Sequence, residues 1–203
     1  MTEFNIPASA GESELTEKRS RFLGHLRPVE SEDEAKAFIQ QIRKQYHDAR
    51  HNCWCYRIYD GPERFSDDGE PQGSAGMPML EVFRRENVSN LVCVVTRYFG
   101  GVLLGTGGLS RAYSAAAKDA LLAAGTRCTS EWAEIVFSCP YSLTERLKKL
   151  LLSEGAVLGD LIYDADVRFL VRVPFPEAEA LAGKITDLSG GKITPEISGP
   201  ILM

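Results

Sequence analysis

A chain of 203 residues with 44% hydrophobic content is long enough to form one large domain or two small ones. Its formal net charge of −5 argues against strong non-specific nucleic-acid binding, which depends on counterion release by clustered lysines and arginines. No apolar run approaches the ~18 residues of a transmembrane helix, and the N-terminal residues lack the apolar segment of a signal peptide. The five cysteines are an odd number and lie among hydrophobic neighbours, which favours reduced thiols. We therefore expect a cytoplasmic protein with no membrane partner.

Hydrophobic periodicity predicts an alternation of strands and helices in the first part of the chain. Ser31 and Glu34 form a capping-box pattern at the start of an apolar helical stripe. The unbroken, β-branched run that begins at Leu91 is typical of a strand covered on both faces. The predicted elements are a long strand over 15–29, a helix from Ser31 to about Tyr46, a strand over 50–59, a helix from Ser74 or Met77 to Glu86, a strand from Leu91, and a helix from about Gly107 to Ala124.

His51, Cys53 and Cys55 occupy alternate positions of the strand over 50–59, so their side chains are expected on one face. Such a group could begin a zinc site, but no second pair with ligand spacing lies elsewhere. A catalytic Cys53 and His51 pair is disfavoured, because parallel side chains on one strand are not obviously within hydrogen-bond reach. We favour a buried or half-buried strand face.

The polar stretch after this strand places three carboxylates around Gly69. They could hold a divalent cation or orient a water molecule. Two of them are adjacent and point apart in extended backbone, and the spacing does not match a calcium-binding loop. Turn formation by aspartate, glycine and proline explains the composition without an ion. We predict no metal site and keep three residues as a candidate functional loop, Asp67, Asp68 and Glu70.

Five glycines lie within nine residues after the strand that begins at Leu91. Glycines this dense indicate positive φ angles or close approach of the backbone to another group. A strand, a glycine loop and a helix N-terminus present free N–H groups to an anion, but the alternative is that the glycines only let strand and helix pack closely. The candidate phosphate or nucleic-acid ligands are Arg97, Gly100, Gly101, Gly105, Thr106, Gly107, Gly108 and Arg111, with Tyr98 and Phe99 as stacking candidates.

Two common nucleotide-binding signatures do not fit this loop. A Walker A loop would need lysine where the chain has Thr106. A dinucleotide fingerprint would need its last glycine where the chain has Ser110.

The second part of the chain has a different pattern, and we place the domain boundary within 125–130. The order strand, helix, strand, strand, helix, strand predicts a split βαβ, or ferredoxin-like, domain. The predicted spans are 132–138, 143–153, 156–163, 167–173, 176–188 and 192–197. The predicted domains are therefore residues 1–127 and 128–203.

Two stretches, FSDDGEPQGSAGMPML over 65–80 and VVTRYFGGVLLGTGGLSRAY over 94–113, closely resemble the signature blocks of the IMPACT/YigZ family. The resemblance extends over the whole chain. It implies an α+β fold whose N-terminal domain resembles the second domain of ribosomal protein small-subunit five, followed by a C-terminal ferredoxin-like domain similar to domains of elongation factor G. The resemblance transfers no catalytic residue and implies no cofactor. Eukaryotic relatives carry an additional N-terminal domain and are implicated in regulating translation.

The hypothesis we favour is a cytosolic, non-catalytic regulator that binds RNA, the ribosome or a translation-related protein through the glycine loop. We expect it to be a monomer. The alternative is an enzyme acting on a phosphorylated small molecule or nucleotide, with Arg97 and Arg111 holding phosphate and Asp67 or Asp68 as base or cation ligand. A third possibility is a scaffold whose loops only pack its domains.

Overall fold

The computed structural model describes residues 3–203 and divides into two compact units, residues 4–128 and 129–203. Both units combine helices with β-sheet, so the chain is a two-domain α+β protein. In the part of the chain that the structure describes, no helix has the length and apolar character needed to cross a membrane.

The first unit is built on a five-stranded antiparallel sheet with strand order β2-β3-β6-β4-β5. A separate two-stranded sheet pairs β1 with β7. The strands are β1 (Phe4–Pro7), β2 (Gly11–Glu17), β3 (Ser20–Pro28), β4 (His51–Arg57), β5 (Glu63–Ser66), β6 (Leu91–Tyr98) and β7 (Thr126–Thr129), and the helices are α1 (Glu32–Gln45), α2 (Gly76–Arg85) and α3 (Gly105–Ala124).

Strand β6 lies at the centre of this sheet and is buried on both faces, as its apolar sequence predicts. Cys93 and Val95 belong to the core formed with α2 and α3, whereas Val92 and Val94 pack with the apolar stripe of α1. Strand β6 is therefore packed between two hydrophobic layers. This packing positions Arg97 at the end of the strand and the glycine loop that follows.

The predicted start of α1 is confirmed. The Ser31 hydroxyl accepts a hydrogen bond from the Glu34 N–H at 3.2 Å, and the Glu34 carboxylate accepts one from the Glu30 N–H at 2.9 Å. The two reciprocal bonds satisfy N–H groups that have no partner within the helix.

The prediction of one long strand over 15–29 is wrong, because the chain reverses at Lys18 and Arg19 to form a β2–β3 hairpin. Both turn residues have positive φ, 45° and 66°, a conformation usually signalled by asparagine or glycine. A lysine–arginine pair gives no such signal. Strand β5 also lies in a segment that the sequence pattern assigned to turn and loop, and it pairs with β4.

The second unit has the predicted βαββαβ order of elements. Its antiparallel sheet has the order β10-β11-β8-β12, and β9 and β13 pair with β11 and β8. The elements are β8 (Glu131–Cys139), α4 (Tyr141–Ser153), β9 (Val157–Leu158), β10 (Ile162–Tyr163), β11 (Val167–Pro174), a 3-10 turn (Phe175–Glu177), α5 (Ala178–Leu188), β12 (Glu196–Ile197) and β13 (Ile201–Leu202).

Two predicted strands of this unit are shorter than the pattern indicates. The segment 156–163 contains β9 and β10 rather than one strand, with residues 159–161 between them. A Cβ at Gly159 would lie 2.9 Å from the Leu170 side chain, so the backbone packs closely against β11 there. The last strand covers only Glu196–Ile197 of the predicted 192–197.

Candidate functional site

The loop between β5 and α2 is held by the carboxylate of Asp67. Asp67 Oδ1 accepts hydrogen bonds from the N–H groups of Ala75 and Gly76 at 3.0 and 2.9 Å, and Oδ2 accepts one from Gly73 at 2.8 Å. Ala75, at the N-cap position of α2, makes no side-chain cap bond of its own among the described residues. Asp67 therefore caps α2 from nine residues upstream of Gly76.

Asp68 connects the same loop to β4 and α1. Its Oδ2 accepts the Asn52 N–H at 2.7 Å, its Oδ1 pairs with Arg43 of α1, and its backbone carbonyl accepts a hydrogen bond from His51 Nδ1 at 2.8 Å. The carboxylates of Asp67 and Asp68 are therefore engaged in hydrogen bonds and an ion pair that stabilise the loop. Within residues 3–203, no three or more His, Cys, Asp and Glu side chains form a group that could hold a metal ion.

Glu70 brings the two signature stretches together. Its Oε1 accepts hydrogen bonds from Arg97 Nη1 at 2.6 Å and from the Tyr113 hydroxyl at 2.9 Å. The Glu70 and Arg97 side chains are only 4% and 7% exposed, so this is a buried ion pair. Burial, together with Cys53 and Glu70 nearby, raises the pKa of Tyr113, which keeps the hydroxyl a donor to Glu70.

Arg97 is surrounded by aromatic rings as well as by its ion-pair partner. Its guanidinium carbon lies 5.5 Å from the ring centroids of both Phe22 and Phe99, and Nη2 lies 3.4 Å from the Ser20 hydroxyl oxygen. Arg97 Nε is buried and has no hydrogen-bond partner in the described part of the chain. The positive charge of Arg97 is thus matched by Glu70, and the side chain is not a free phosphate ligand.

The glycines of the loop have different roles. A Cβ at Gly100 would lie 2.0 Å from the carbonyl carbon of Arg19, so the glycine loop packs directly on the β2–β3 turn. Gly101 and Gly105 have φ angles of 84° and 70°, which favour glycine. Both conformational reasons for dense glycines therefore apply, since Gly100 allows close approach of two backbone segments and Gly101 and Gly105 have positive φ angles.

Helix α3 begins at Gly105 without a capping side chain. Leu104 occupies the N-cap position and, within the described residues, no side chain caps the helix there. Gly105, Thr106 and Gly107 are exposed, and they form the first turn of α3, at the positive end of the helix dipole.

A cavity of about 370 Å³ opens between this helix N-terminus and the loop after β5. Two of its apolar lining residues reach solvent, since Phe99 is 47% and Leu103 is 84% exposed. The lining residues are Arg50, His51, Glu70, Pro71, Arg97, Phe99, Leu103, Leu104, Gly105, Thr106 and Leu109.

Several cations near this cavity have no ion-pair partner among residues 3–203. Arg50 lines the cavity, and Lys18 and Arg19 are exposed in the turn that packs on Gly100. Glu17 precedes them in the hairpin and offsets part of this charge. We call the exposed set the glycine-loop surface; it consists of Lys18, Arg19, Arg50, Phe99, Leu103 and Thr106.

Only some of the sequence-derived candidates meet at the cavity. Five of them line it, namely Glu70, Arg97, Phe99, Gly105 and Thr106. The others do not line it, namely Asp67, Asp68, Tyr98, Gly100, Gly101, Gly107, Gly108 and Arg111. Arg111 is exposed outside the cavity, so Arg97 and Arg111 do not form the expected clamp. The Tyr98 hydroxyl donates to Asp48 at 2.8 Å, which leaves Phe99 as the accessible ring.

Sequence reasoning did not select Arg50 and Leu103. Leu103 could have been selected, because an apolar side chain inside a glycine-rich loop is visible in the sequence. Arg50 gives no signal of its own, because only the packing of β4 beside β6 brings it to the cavity.

The sequence predicts a buried or half-buried face of β4 formed by His51, Cys53 and Cys55, and the structure has this face. Cys53 and Cys55 are fully buried, and the Cys53 thiol donates to the Asp67 carbonyl at 2.9 Å. Burial raises the pKa of both thiols, so they remain protonated. His51 is half-buried at the cavity wall.

Residues 18–121 match the Impact N-terminal domain family, and residues 137–192 match a domain of unknown function, DUF1949. IMPACT family member YvyE of Bacillus subtilis is 38% identical over 90% of this chain and 85% of its own length. IMPACT family member YigZ of Escherichia coli is 35% identical over 95% of this chain and 97% of its own length. A solved structure described as that of a hypothetical protein is 33% identical, with a TM-score of 0.66 over 96% of this chain and 97% of its own. The chain therefore belongs to the IMPACT family, as a two-domain member of the bacterial type.

Proposed function

We propose that this protein is a non-catalytic, cytoplasmic regulator of translation that binds RNA of the ribosome through the glycine-loop surface. The observation that carries the proposal is the convergence at one cavity of an exposed aromatic ring, a helix N-terminus without a side-chain cap and an arginine without an ion pair, both absences holding for residues 3–203. These three features are contributed by Phe99, by the first turn of α3 and by Arg50.

Single-stranded RNA is recognised by this combination of groups. Its unpaired bases stack on aromatic side chains, and its phosphates are bound by cations and helix N-termini. The lysine and arginine of the β2–β3 turn extend the positive region beyond the cavity. The net charge of −5 disfavours non-specific attraction of RNA to the whole protein surface. We therefore expect RNA to bind only at the positive region, in a way that depends on the shape of the RNA.

Family resemblance supports the same proposal. The expected likeness of the first unit to the second domain of ribosomal protein small-subunit five, and of the second unit to domains of elongation factor G, remains part of the proposal. Both of those folds recur in proteins that handle RNA or the ribosome, which is an argument by analogy.

The enzyme alternative requires Asp67 or Asp68 to act as a base or to hold a cation. Asp67 accepts three backbone hydrogen bonds, and Asp68 accepts one and pairs with Arg43. Arg97 is engaged by Glu70 rather than free for phosphate. No specific observation favours this alternative, and we do not develop it.

Co-sedimentation with ribosomes at two salt concentrations tests the proposal. The wild-type protein is expected to pellet with ribosomes at low salt and to dissociate at high salt. Replacing Arg50 with glutamine, together with Phe99→Ala, should remove most of the binding. The matched control is Arg146→Gln, which removes an exposed charge of the second unit that makes no ion pair with any residue the structure describes. Absence of pelleting at low salt, or equal loss in the control, would contradict the proposal.

A further inference from the structure

We infer that the cavity of the glycine-loop surface holds a single nucleotide, with its base against the apolar wall and its phosphate at the N-terminus of α3. This inference rests on the proposed function and deepens it, because it names the unit of RNA that enters the protein. It identifies a binding site that can be tested with small molecules.

The apolar wall suits a flat ring. Phe99 and Leu103 are exposed members of this wall, and Pro71, on the loop after β5, also lines the cavity. Aromatic stacking of this kind accepts every base, because each base has a π-face. A volume of about 370 Å³ falls at the lower end of the range of small-molecule sites, roughly 300–1,000 Å³, which suits one nucleotide better than a longer segment.

Other residues that line the cavity suit an anion. The N–H groups of Gly105 and Thr106 belong to the uncapped first turn of α3, and a Cβ at Gly105 would meet no atom within 4 Å. Space therefore remains in front of this turn for a phosphate group. Arg50 lies on the same cavity and supplies a positive charge that no acidic residue of the described chain neutralises.

A second observation points to a ligand independently of the helix N-terminus. The Arg97 side chain is more than nine-tenths buried, lines the cavity, and carries an Nε without a hydrogen-bond partner among the described residues. A buried donor of this type is normally satisfied in a folded protein. Because Glu70 already neutralises the charge of Arg97, the suitable acceptor for Nε is an uncharged oxygen of the bound nucleotide, such as a ribose hydroxyl.

His51 adds a group that can contact the edge of a base. Its Nδ1 lies 2.8 Å from the Asp68 carbonyl oxygen and must donate to it, which leaves Nε2 available for a contact with the base. The cavity thus combines a stacking wall, an anion-binding end and a polar group at its margin.

Titration calorimetry with AMP, CMP, GMP and UMP tests the inference on the full-length chain. Each nucleotide is expected to bind with one-to-one stoichiometry. Adenosine and inorganic phosphate are each expected to bind at least about tenfold more weakly than AMP, because each engages only one wall. Inorganic phosphate binding as tightly as AMP would overturn the inference, because the base would then contribute nothing.

A charge change on α3 provides a variant that keeps the fold. Thr106→Glu places a negative charge at the helix N-terminus, where it favours the helix but repels a phosphate. We expect it to weaken AMP binding about tenfold or more and to leave the unfolding midpoint unchanged or raised. Thr106→Gln is similar in size and uncharged, and it should bind AMP nearly as well as the wild type. Equal loss in both variants would contradict an anion site at this turn.

The nucleotide inference and the proposed function can fail separately. If ribosome binding depends on Phe99 and Arg50 while no mononucleotide binds at millimolar concentration, the single-nucleotide site is wrong and the proposed function stands. If neither ribosomes nor nucleotides bind, both are wrong.

Discussion

Glu70 and Arg97 form a buried ion pair, with Glu70 Oε1 2.6 Å from Arg97 Nη1, and this contact joins the two signature stretches of the family. Tyr113, from the second stretch, donates to the same carboxylate oxygen at 2.9 Å. The two stretches are therefore one structural unit. Their buried charged residues stabilise the loops, and exposed neighbours form the glycine-loop surface, which we propose binds RNA.

The first prediction concerns this ion pair. Arg97→Met should lower the free energy of unfolding by about 3–5 kcal/mol, because it leaves the Glu70 carboxylate buried without its cation. The double variant Arg97→Met/Glu70→Gln should recover part of that loss. Urea unfolding measures both effects, with exposed Arg111→Met as a control expected within about 0.5 kcal/mol of wild type. A loss below about 1 kcal/mol in Arg97→Met would show that the pair does not hold the loops together.

The second prediction concerns Asp67 as a remote cap. Asp67→Ala leaves three N–H groups at the start of α2 without their acceptor and should destabilise the protein by about 2 kcal/mol or more. Asp67→Asn keeps one acceptor oxygen and should cost less. Thermal unfolding of the two variants distinguishes this role from metal binding, because in the capping account added magnesium or calcium changes neither midpoint. A cation-dependent midpoint in the wild type alone would refute the capping account.

The third prediction compares two glycines of the same loop. Gly100→Ala should destabilise the protein by about 3 kcal/mol, because its Cβ would overlap the backbone of Arg19. Gly107→Ala should stabilise it by about 0.5 kcal/mol, since the nearest atom to its Cβ is Arg111 Nη1 at 3.7 Å and alanine favours the helix. Chemical denaturation measures both free energies. Similar effects at the two positions would contradict the packing of the glycine loop on the β2–β3 turn.

The fourth prediction concerns pH and the buried His25. Burial lowers the pKa of His25 below its ordinary 6.5, although Glu12 nearby opposes the shift. His25 Nε2 is buried with no hydrogen-bond partner in residues 3–203, and its ring stacks on Tyr46 with centroids 4.9 Å apart. At neutral pH the ring is uncharged in both folded and unfolded states. As the pH falls through 6.5, His25 of the unfolded chain takes up a proton, whereas the folded ring, with its lower pKa, remains less protonated. The free energy of unfolding therefore decreases on acidification.

Urea unfolding at pH 7.5 and pH 5.5 tests this expectation. His25→Phe keeps a ring for Tyr46 and should lose less stability on acidification than the wild type. His47→Gln is the control, because His47 is exposed and takes no part in the stacking contact between His25 and Tyr46. An unchanged pH dependence in His25→Phe would mean that other groups cause the effect.

The sequence predicts much of the fold and part of the site, and the differences have physical causes. The helical stripe of α1 and the apolar run of β6 are local patterns, and both predict the observed packing. The Lys18–Arg19 reversal is stabilised by strand pairing rather than by turn-forming residues, so no local pattern indicates it.

The roles of charged residues could not be predicted in the same way. Arg97 and Glu70 meet only because the pairing of β4 with both β5 and β6 brings the loop after β5 close to β6. A residue in such a buried pair looks the same in sequence as a free ligand. Arg50 shows the opposite case, in which an inconspicuous residue reaches the cavity through the pairing of β4 with β6.

The most direct test of the account is site-specific photo-crosslinking on purified ribosomes. The photo-reactive amino acid p-benzoylphenylalanine would replace Leu103, which is 84% exposed at the cavity, or Leu152, which is 63% exposed in the second unit. The account predicts that the probe at position 103 crosslinks to ribosomal RNA and that the probe at position 152 does not. Crosslinks from position 103 only to protein, or no crosslink from it, would contradict RNA binding by the glycine-loop surface.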